Sequence, residues 1–183
     1  MELKFLQTKK PARPVTLWDI PRVIFQSIKI KLAMTGTFPG RWPNASAISH
    51  CQIEQEDPLR FFVLGNSWHN FENRPAKLSS YFGWPRARII INPVIIETGD
   101  SVIKSEEGCY SSPKQKTRKV NRYEVITCKY WTFFGKREKK FYLYRACLLQ
   151  HEIDHADGIV IEDKYFKILR NYVGSYKPTF QKS

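Results

Sequence analysis

Apolar residues near the N-terminus follow a helical pattern. Ile20, Val23, Ile24 and Ile28 recur at intervals of three and four residues, which places them on one face of an α-helix. Asp19 is a suitable N-cap, because its carboxylate can accept hydrogen bonds from the N–H groups of the first turn. The pattern predicts an amphipathic helix that begins after Asp19.

The middle of the chain contains short runs of apolar or alternating residues that are typical of strands. These runs cover residues 61–64, 89–91, 94–96 and 123–131. A second helix pattern follows at about 144–157 and is closed by Gly158, a residue suited to the left-handed conformation after a helix. Strands followed by a helix predict an α+β fold in which short mixed or antiparallel sheets surround this central helix.

Length and composition favour a single folded domain over residues 1–183. The chain is 42% hydrophobic and 26% charged, which excludes a disordered chain. No stretch approaches the roughly 18–20 apolar residues that cross a bilayer, and the N-terminus lacks the apolar core of a secretory signal. The four cysteines are scattered, so we expect free thiols in a reducing cytoplasm and no membrane contact.

Charge is the outlying feature of the composition. The chain has 30 Lys and Arg against 17 Asp and Glu, a net charge of +13. The excess is concentrated in residues 114–145 and in a basic tail from about 164. This distribution suggests a polyanionic partner, with a solvated surface as the alternative.

The second predicted helix carries the motif His-Glu-Ile-Asp-His. His151 and His155 stand one turn apart on the same face, so both imidazoles can reach one metal ion. Glu152 can lie against a water on that metal and take its proton. A chance string on an amphipathic helix is the alternative, but the apolar opposite face favours a metal site.

Two histidines leave such a site underfilled, so a third ligand is needed. Ile161 stands where the long metalloprotease pattern has its third histidine, which excludes that class. Cys147 precedes His151 by one turn but lies about 12 Å of helix rise from His155. One ion cannot bind both of those residues.

Two other residues remain as candidates for the third ligand. Cys109 follows a flexible Gly108 in a polar, turn-like segment and is favoured. Glu162 could serve only if the chain folds back after Gly158. A buried structural cysteine is the alternative reading of Cys109.

At this point two motifs resemble those of the peptide deformylase family. Residues 107–111, Glu-Gly-Cys-Tyr-Ser, resemble the family's E-G-C-L-S, and residues 150–155 with Gly158 resemble its Q-H-E-x-D-H-x-x-G. The pair is specific in this order. Weaker similarities are found at Pro11 to Val15, Asn92-Pro93-Val94, Val120 and Arg122.

The family's first motif, G-x-G-x-A-A-x-Q, matches less well. Its best alignment is residues 45–52, which keep Gln52 but replace four family residues, with Ala45, Ala47, Ser49 and His50. Alanine tolerates positive φ and a closely approaching ligand less well than glycine does. We therefore expect an altered backbone or a narrower channel. His50 is expected on the surface, with an added polar group near the site as the alternative. Residues 65–84 look like an insertion that packs on the body of the domain.

The resemblance implies a metal site and a catalytic set. One divalent ion would bind Cys109, His151 and His155; it is Fe²⁺ in typical members, with Zn²⁺, Ni²⁺ or Co²⁺ also able to bind. Glu152 would be the general base. The Gln52 side-chain amide and the Tyr110 backbone N–H would stabilise the oxyanion. Arg122 would be structural rather than catalytic.

The implied substrate is an N-formylmethionyl peptide, which would be hydrolysed to formate and a free N-terminus. We expect Cys147 and Leu148 to form one wall of the methionine pocket, with Ile48 opposite. Ala47 would border the path of the peptide. Such substrates imply the cytoplasm of a bacterium or the lumen of an organelle.

Three other functions remain open. The altered first motif allows a diverged relative with changed or lost activity that binds another blocked peptide or partner. A general metalloprotease is disfavoured by the cysteine ligand. A ribosome- or RNA-binding protein without catalysis would rest on charge alone. In a deformylase, the basic strands and tail would dock on ribosomal RNA.

Overall fold

The computed structural model of the chain describes residues 10–34, 45–65, 89–112, 117–164 and 172–173. The predicted insertion near 65–84 and the basic tail from about 164 lie almost entirely outside these residues. The organisation into one domain with these two additions therefore stays a prediction. Among the described helices, none combines the length and apolar character needed to cross a bilayer.

The first predicted helix is present as α1, Ile20–Met34, preceded by a 3₁₀ turn, Leu17–Asp19. Thr16, rather than the predicted Asp19, is the N-cap of this turn; the Asp19 Oδ2 accepts hydrogen bonds from the backbone N–H and the hydroxyl of Thr16, both at 2.8 Å. This arrangement satisfies polar groups at the helix entrance.

The buried face of α1 differs from the predicted one. The residues that face the core are Val23, Ser27, Ile30, Ala33 and Met34, whereas Ile24 is 37% exposed. The prediction was right for Val23 and wrong for Ile24, because the buried face runs from Val23 through Ser27 to Ile30 and Met34 and leaves Ile24 beside it. Ser27 is accommodated there because its hydroxyl donates to the Ile24 carbonyl oxygen at 2.9 Å.

Two antiparallel sheets confirm the α+β prediction. The five-stranded sheet has the order β1-β2-β3-β6-β7, and β4 pairs with β5 in a second sheet. The strands are β1 (Ala47–Ser49), β2 (Phe61–Leu64), β3 (Ile89–Thr98), β4 (Val102–Glu107), β5 (Arg118–Tyr123), β6 (Val125–Thr132) and β7 (Gly135–Tyr142).

The two predicted runs at 89–91 and 94–96 form the single strand β3. Its pairing register with β6 shifts between Ile91 and Val94, where Pro93 has no N–H to donate and Asn92 has a φ of 48°. The Asn92 side chain accepts the Val15 N–H at 2.8 Å and donates to the Val15 carbonyl at 2.9 Å. The bulge thereby holds the N-terminal arm on the sheet.

The second predicted helix is confirmed as α2, Leu143–Ala156. It ends as predicted, because Gly158 has a φ of 75° and its N–H donates to the His155 carbonyl at 3.0 Å. Every residue of α2 from Leu149 onward is buried, since the helix packs against β1, β5, β6 and β7. A short helix α3, Ile161–Lys164, follows. The motif helix is thus the centre of the fold.

Candidate metal centre

Three side chains from two parts of the chain converge on one point. Cys109 Sγ lies 3.1 Å from His155 Nε2, which lies 3.1 Å from His151 Nε2. All three atoms are within 4.8 Å of one another, and all three residues are buried. Tetrahedral ligands bound at about 2.0–2.3 Å would be separated by roughly 3.3–3.6 Å. The arrangement therefore fits one ion, and Cys147 is not part of it.

Secondary structure places these ligands. One turn of α2 separates the two histidines, which puts their rings on the same face with centroids 4.7 Å apart. Cys109 lies two residues after the end of β4, and its carbonyl accepts the Ser112 N–H at 3.0 Å in a tight turn. The pairing of β4 with β5, which packs on α2, brings this turn to the helix.

Glu107 fixes the orientation and the tautomer of His151. Its Oε2 lies 2.9 Å from His151 Nδ1. Because a carboxylate can only accept, Nδ1 donates its proton and Nε2 keeps a lone pair for a metal. Arg122 holds the carboxylate in turn, donating from Nε to Oε1 at 2.8 Å and from Nη2 to Oε2 at 2.7 Å. This bidentate pairing resists rotation of the carboxylate.

Arg122 also joins this pair to Asp154 of α2 and to Tyr172. Its Nη1 donates to the Asp154 carboxylate and, at 2.8 Å, to the Tyr172 hydroxyl oxygen. That hydroxyl donates to Asp154 Oδ2 at 3.1 Å. We call these four buried residues, Glu107, Arg122, Asp154 and Tyr172, the inner cluster. Sequence reasoning anticipated the structural role of Arg122 but missed the other three.

Arg122 and Glu107 are the ionised pair of the inner cluster. Burial by itself lowers the pKa of Arg122, but the charge of Asp154 and the hydrogen bonds to Glu107 outweigh it and hold that pKa well above its usual range. Burial by itself raises the pKa of Glu107, and the hydrogen bonds from Arg122 and His151 bring it well below its usual range. The two pairing residues therefore stay charged at neutral pH.

The pKa of the Cys109 thiol is lowered by its neighbours. Burial by itself would raise its pKa, but hydrogen bonds with His151 and His155 outweigh burial and lower the pKa to about 5. The thiolate, which is the form that binds metals, therefore predominates at neutral pH.

Glu152 is buried beside the ligands. Ser49 Oγ donates to Glu152 Oε2 at 2.6 Å, and only 2% of Glu152 is exposed. Burial raises the pKa of this carboxyl above its usual range. The pKa of this carboxyl is therefore closer to neutral pH than the pKa of an exposed glutamate is.

Gln52 is oriented by its neighbours. The Ser49 N–H donates to Gln52 Oε1 at 2.9 Å, which turns Nε2 toward the metal ligands. This Nε2 donates to Ser111 Oγ at 3.1 Å and lies 3.6 Å from Cys109 Sγ. A donor group is thus directed at the site.

Cys109, His151, Glu152 and Gln52 line a cleft of about 400 Å³. The walls include six of the residues singled out from sequence as catalytic or substrate-binding, which are Ala47, Gln52, Tyr110, Cys147, Leu148 and Glu152. Ile48 was expected on the cleft wall, and this prediction was wrong. Ile48 is fully buried and packs in the core with Phe61 and Val63. Successive residues of a strand face opposite sides, so β1 turns Ala47 to the cleft and Ile48 away.

His50 is fully buried, which corrects the expectation of a surface position. Its Nδ1 accepts the Leu59 N–H at 3.0 Å, and its ring stacks on Phe61 with centroids 4.8 Å apart. Its Nε2 has no hydrogen-bond partner among the described residues. Burial, helped by the charge of Arg22, lowers its pKa to about 4. The family's motif has an alanine at this position, and that apolar residue could have indicated that His50 is buried.

Known proteins resemble this chain over most of its length. A sequence model of the polypeptide deformylase family matches residues 10–171. The peptide deformylase of Rickettsia prowazekii is 36% identical over 131 residues, covering 71% of this chain and 70% of its own. That of Rickettsia akari is 34% identical over 115 residues, which are 62% of this chain. The alignment spans only 61% of the Rickettsia akari protein.

Solved structures share the fold. The peptide deformylase of Thermotoga maritima has a TM-score of 0.65 at 24% identity, covering 91% of this chain and 99% of its own. A class I type b peptide deformylase from Acinetobacter baumannii with bound Met-Ala-Ser has a TM-score of 0.64 at 23% identity. It covers 90% of this chain and 98% of its own. Since the family match takes in both motifs and nearly all described elements, the chain belongs to the polypeptide deformylase family.

Proposed function

We propose that this chain is a metal-dependent hydrolase that removes the N-formyl group from the N-terminal methionine of new polypeptides. The observation that carries the proposal is the convergence of Cys109, His151 and His155 next to a cleft that is lined by Cys109, His151 and the buried Glu152. Membership of the family supports the same reaction. The products would be formate and a peptide with a free amino group.

The donor atoms suit a divalent transition metal. One thiolate and two imidazoles are ligands that Fe²⁺, Zn²⁺, Ni²⁺ and Co²⁺ all accept, and we propose Fe²⁺ as the native ion. A divalent ion held by Cys109, His151 and His155 would lower the pKa of a bound water and polarise the formyl carbonyl.

Glu152 is the proposed general base. Its carboxylate takes a proton from the attacking water and later returns it to the leaving nitrogen, so that the amine departs neutral. The pKa raised by burial suits a group that must both accept and donate a proton near neutral pH.

Gln52 and Tyr110 are the proposed oxyanion donors. The Gln52 amide points toward the ligand set, and the Tyr110 backbone N–H follows Cys109 directly in the chain. Donors aimed at a developing oxyanion are each worth about 10²–10³ in rate. Ala47, Cys147 and Leu148 provide the apolar wall for the methionine side chain.

The decisive experiment loads the protein anaerobically with Fe²⁺ or Ni²⁺ and measures formate released from formyl-Met-Ala-Ser. We expect turnover by the wild type and a large loss in a Glu152→Ala variant of equal metal content. Acetyl-Met-Ala-Ser and unblocked Met-Ala-Ser serve as controls for specificity. Full metal loading with no formate, and no difference between the two proteins, would refute the proposal.

A diverged relative with altered activity is the second candidate. The observation that favours it is the pair of polar residues, Ser49 and His50, buried at positions where the family's motif has alanines. Turnover of the acetylated peptide, or metal-dependent binding of a peptide without hydrolysis, would support this candidate instead. A ribosome- or RNA-binding protein without catalysis needs no bound metal, so metal analysis tests that alternative.

We also propose that basic surface delivers the enzyme to ribosomes in the cytoplasm of a bacterium or in an organelle. Strand β7 presents four exposed basic side chains, Lys136, Arg137, Lys139 and Lys140, which can neutralise RNA phosphates. We expect salt-sensitive cosedimentation with ribosomes that is weakened by replacing these four with glutamine and by deleting the residues after Lys164. Unchanged binding by both variants would contradict this partner.

A further inference from the structure

We propose that Ser49 is a positioning residue that holds the general base and the oxyanion amide in one fixed arrangement. Its hydroxyl binds Glu152 and its backbone N–H binds Gln52, so a single residue touches both groups. This inference rests on the proposed function for the meaning of those two groups. The contacts themselves are independent of it.

The hydroxyl has a defined task. Ser49 Oγ lies 2.6 Å from Glu152 Oε2 and 3.2 Å from the Glu152 backbone oxygen. A hydroxyl has one proton to donate, and the shorter contact to the carboxylate receives it. Ser49 is 1% exposed and Glu152 is 2% exposed, so water does not compete freely for this bond.

Ser49 is itself held rigidly. It is the last residue of β1, pairs with Phe62 of β2, and is the N-cap of the 3₁₀ turn, His50–Gln52. Because strand and turn fix its backbone, its hydroxyl presents one position to the carboxylate. The hydrogen bond from this fixed hydroxyl therefore restricts the Glu152 side chain to one orientation.

The expected consequence concerns the rate more than binding. A hydrogen bond to an ionised group changes populations by about tenfold or more, so without the hydroxyl the carboxylate spends less time in its working orientation. Groups that act in the transition state lower kcat when they are misplaced. The peptide would still contact the same walls, so KM should change little.

Replacing Ser49 tests this directly in the metal-loaded protein. For Ser49→Ala we expect kcat for formyl-Met-Ala-Ser to fall about tenfold while KM stays within about twofold. Ser27→Ala is the matched control, since Ser27 is also fully buried and donates to a backbone carbonyl of α1. That control should keep the wild-type kcat.

A pair of equal shape isolates the hydroxyl if alanine disturbs packing. Threonine and valine have nearly the same shape, but only threonine has a hydroxyl that can donate a hydrogen bond. The kcat of Ser49→Thr should therefore exceed that of Ser49→Val by about tenfold. Equal kcat values for that pair, or an unchanged kcat in Ser49→Ala, would overturn the positioning role.

Crystal structures of the metal-loaded wild type and Ser49→Ala provide a readout that needs no activity. We expect one Glu152 conformer bonded to Ser49 in the wild type and a displaced or split carboxylate in the variant. An identical Glu152 in both structures would overturn the inference. If the wild type releases no formate but Glu152 moves in the variant, the proposed function fails while the positioning of Glu152 by Ser49 stands.

Discussion

Arginine–carboxylate pairs hold two regions of this molecule, and the geometry of the pairs is alike in both. In the inner cluster Arg122 lies 2.7 Å from Glu107. At the N-terminal arm Arg13 lies 2.8 Å from Asp19 and 2.6 Å from Asp57. We call the second group the arm cluster; its residues are Arg13, Asp19, Arg22, Glu54 and Asp57.

Burial separates the two clusters. The Arg122 side chain is 1% exposed, whereas that of Arg13 is 42% exposed. Water can replace a lost partner in the arm cluster but not in the inner one, where a carboxylate without its arginine is left charged in a poorly solvated place. Although the Arg–carboxylate distances are similar, breaking a pair in the inner cluster should cost more free energy of unfolding than breaking one in the arm cluster. Only the inner cluster is expected to orient the proposed metal ligands, through the contact of Glu107 with His151.

The largest expected effect comes from Arg122→Met. It leaves Glu107 and Asp154 without their arginine, and breaking a buried pair in this way costs about 3–5 kcal/mol. Metal affinity should also fall by about 10–100-fold, since Glu107 orients His151. Urea unfolding of the metal-loaded protein measures the first effect, and competition with a chelator measures the second. A loss of less than about 1 kcal/mol would show that burial does not decide the energy of this cluster.

The proximity of the three proposed metal ligands could be predicted from sequence because their signals are local. Helical spacing places His151 and His155 on one face, and Cys109 was favoured by its turn-like surroundings before a family pattern reinforced it. The resemblance also implied Glu152 and Gln52. The helix α2 was predicted because its periodicity and its terminal Gly158 agree.

The inner cluster could not be predicted in the same way. Glu107, Asp154 and Tyr172 meet at Arg122 only after β4 and β5 have paired and α2 has packed against them. Ile48 was misplaced for a different reason: β1 has only three residues, too few to show the alternation that distinguishes its two faces. Strand β7 escaped prediction because it is an edge strand in which five consecutive residues, 136–140, are charged.

The next effect concerns His50, which packs between the core and the charges of the arm cluster. Burial and the charge of Arg22 lower its pKa from 6.5 to about 4. Between these two values the unfolded chain binds a proton that the folded chain does not, so stability rises with pH across this window. The contribution of His50 is complete above pH 6.5 and is lost as the pH falls toward 4.

We expect the wild type to lose about 2–3 kcal/mol more than a His50→Gln variant between pH 6.5 and pH 4. The variant corrects for the carboxyl groups that titrate in the same range. Unfolding in urea at several pH values measures the difference. If the unfolding free energies of the two proteins changed with pH in parallel, water or Glu54 would be stabilising the protonated His50 ring. His50 would then belong electrostatically to the arm cluster rather than to the core.

The smallest effect is expected for Arg13→Met, which repeats the Arg122 substitution in the exposed cluster. Hydrogen bonds from Arg13 and Arg22 lower the pKa of Asp57 from 3.8 to about 2, so the arm pairs contribute above the first value and are lost as the pH falls through the second. Because the Arg13 and Asp57 side chains are 42% and 46% exposed, and Asp19, at 11% exposed, keeps its hydrogen bonds from Thr16, screening should limit the cost at pH 7 to about 1 kcal/mol or less. That cost should shrink further in about 1 M salt, where the Debye length is about 3 Å, whereas the cost of Arg122→Met should persist. If the two methionine variants were equally unstable and equally sensitive to salt, contact geometry rather than burial would govern both clusters, and the assignment of metal-ligand control to the inner cluster alone would fail.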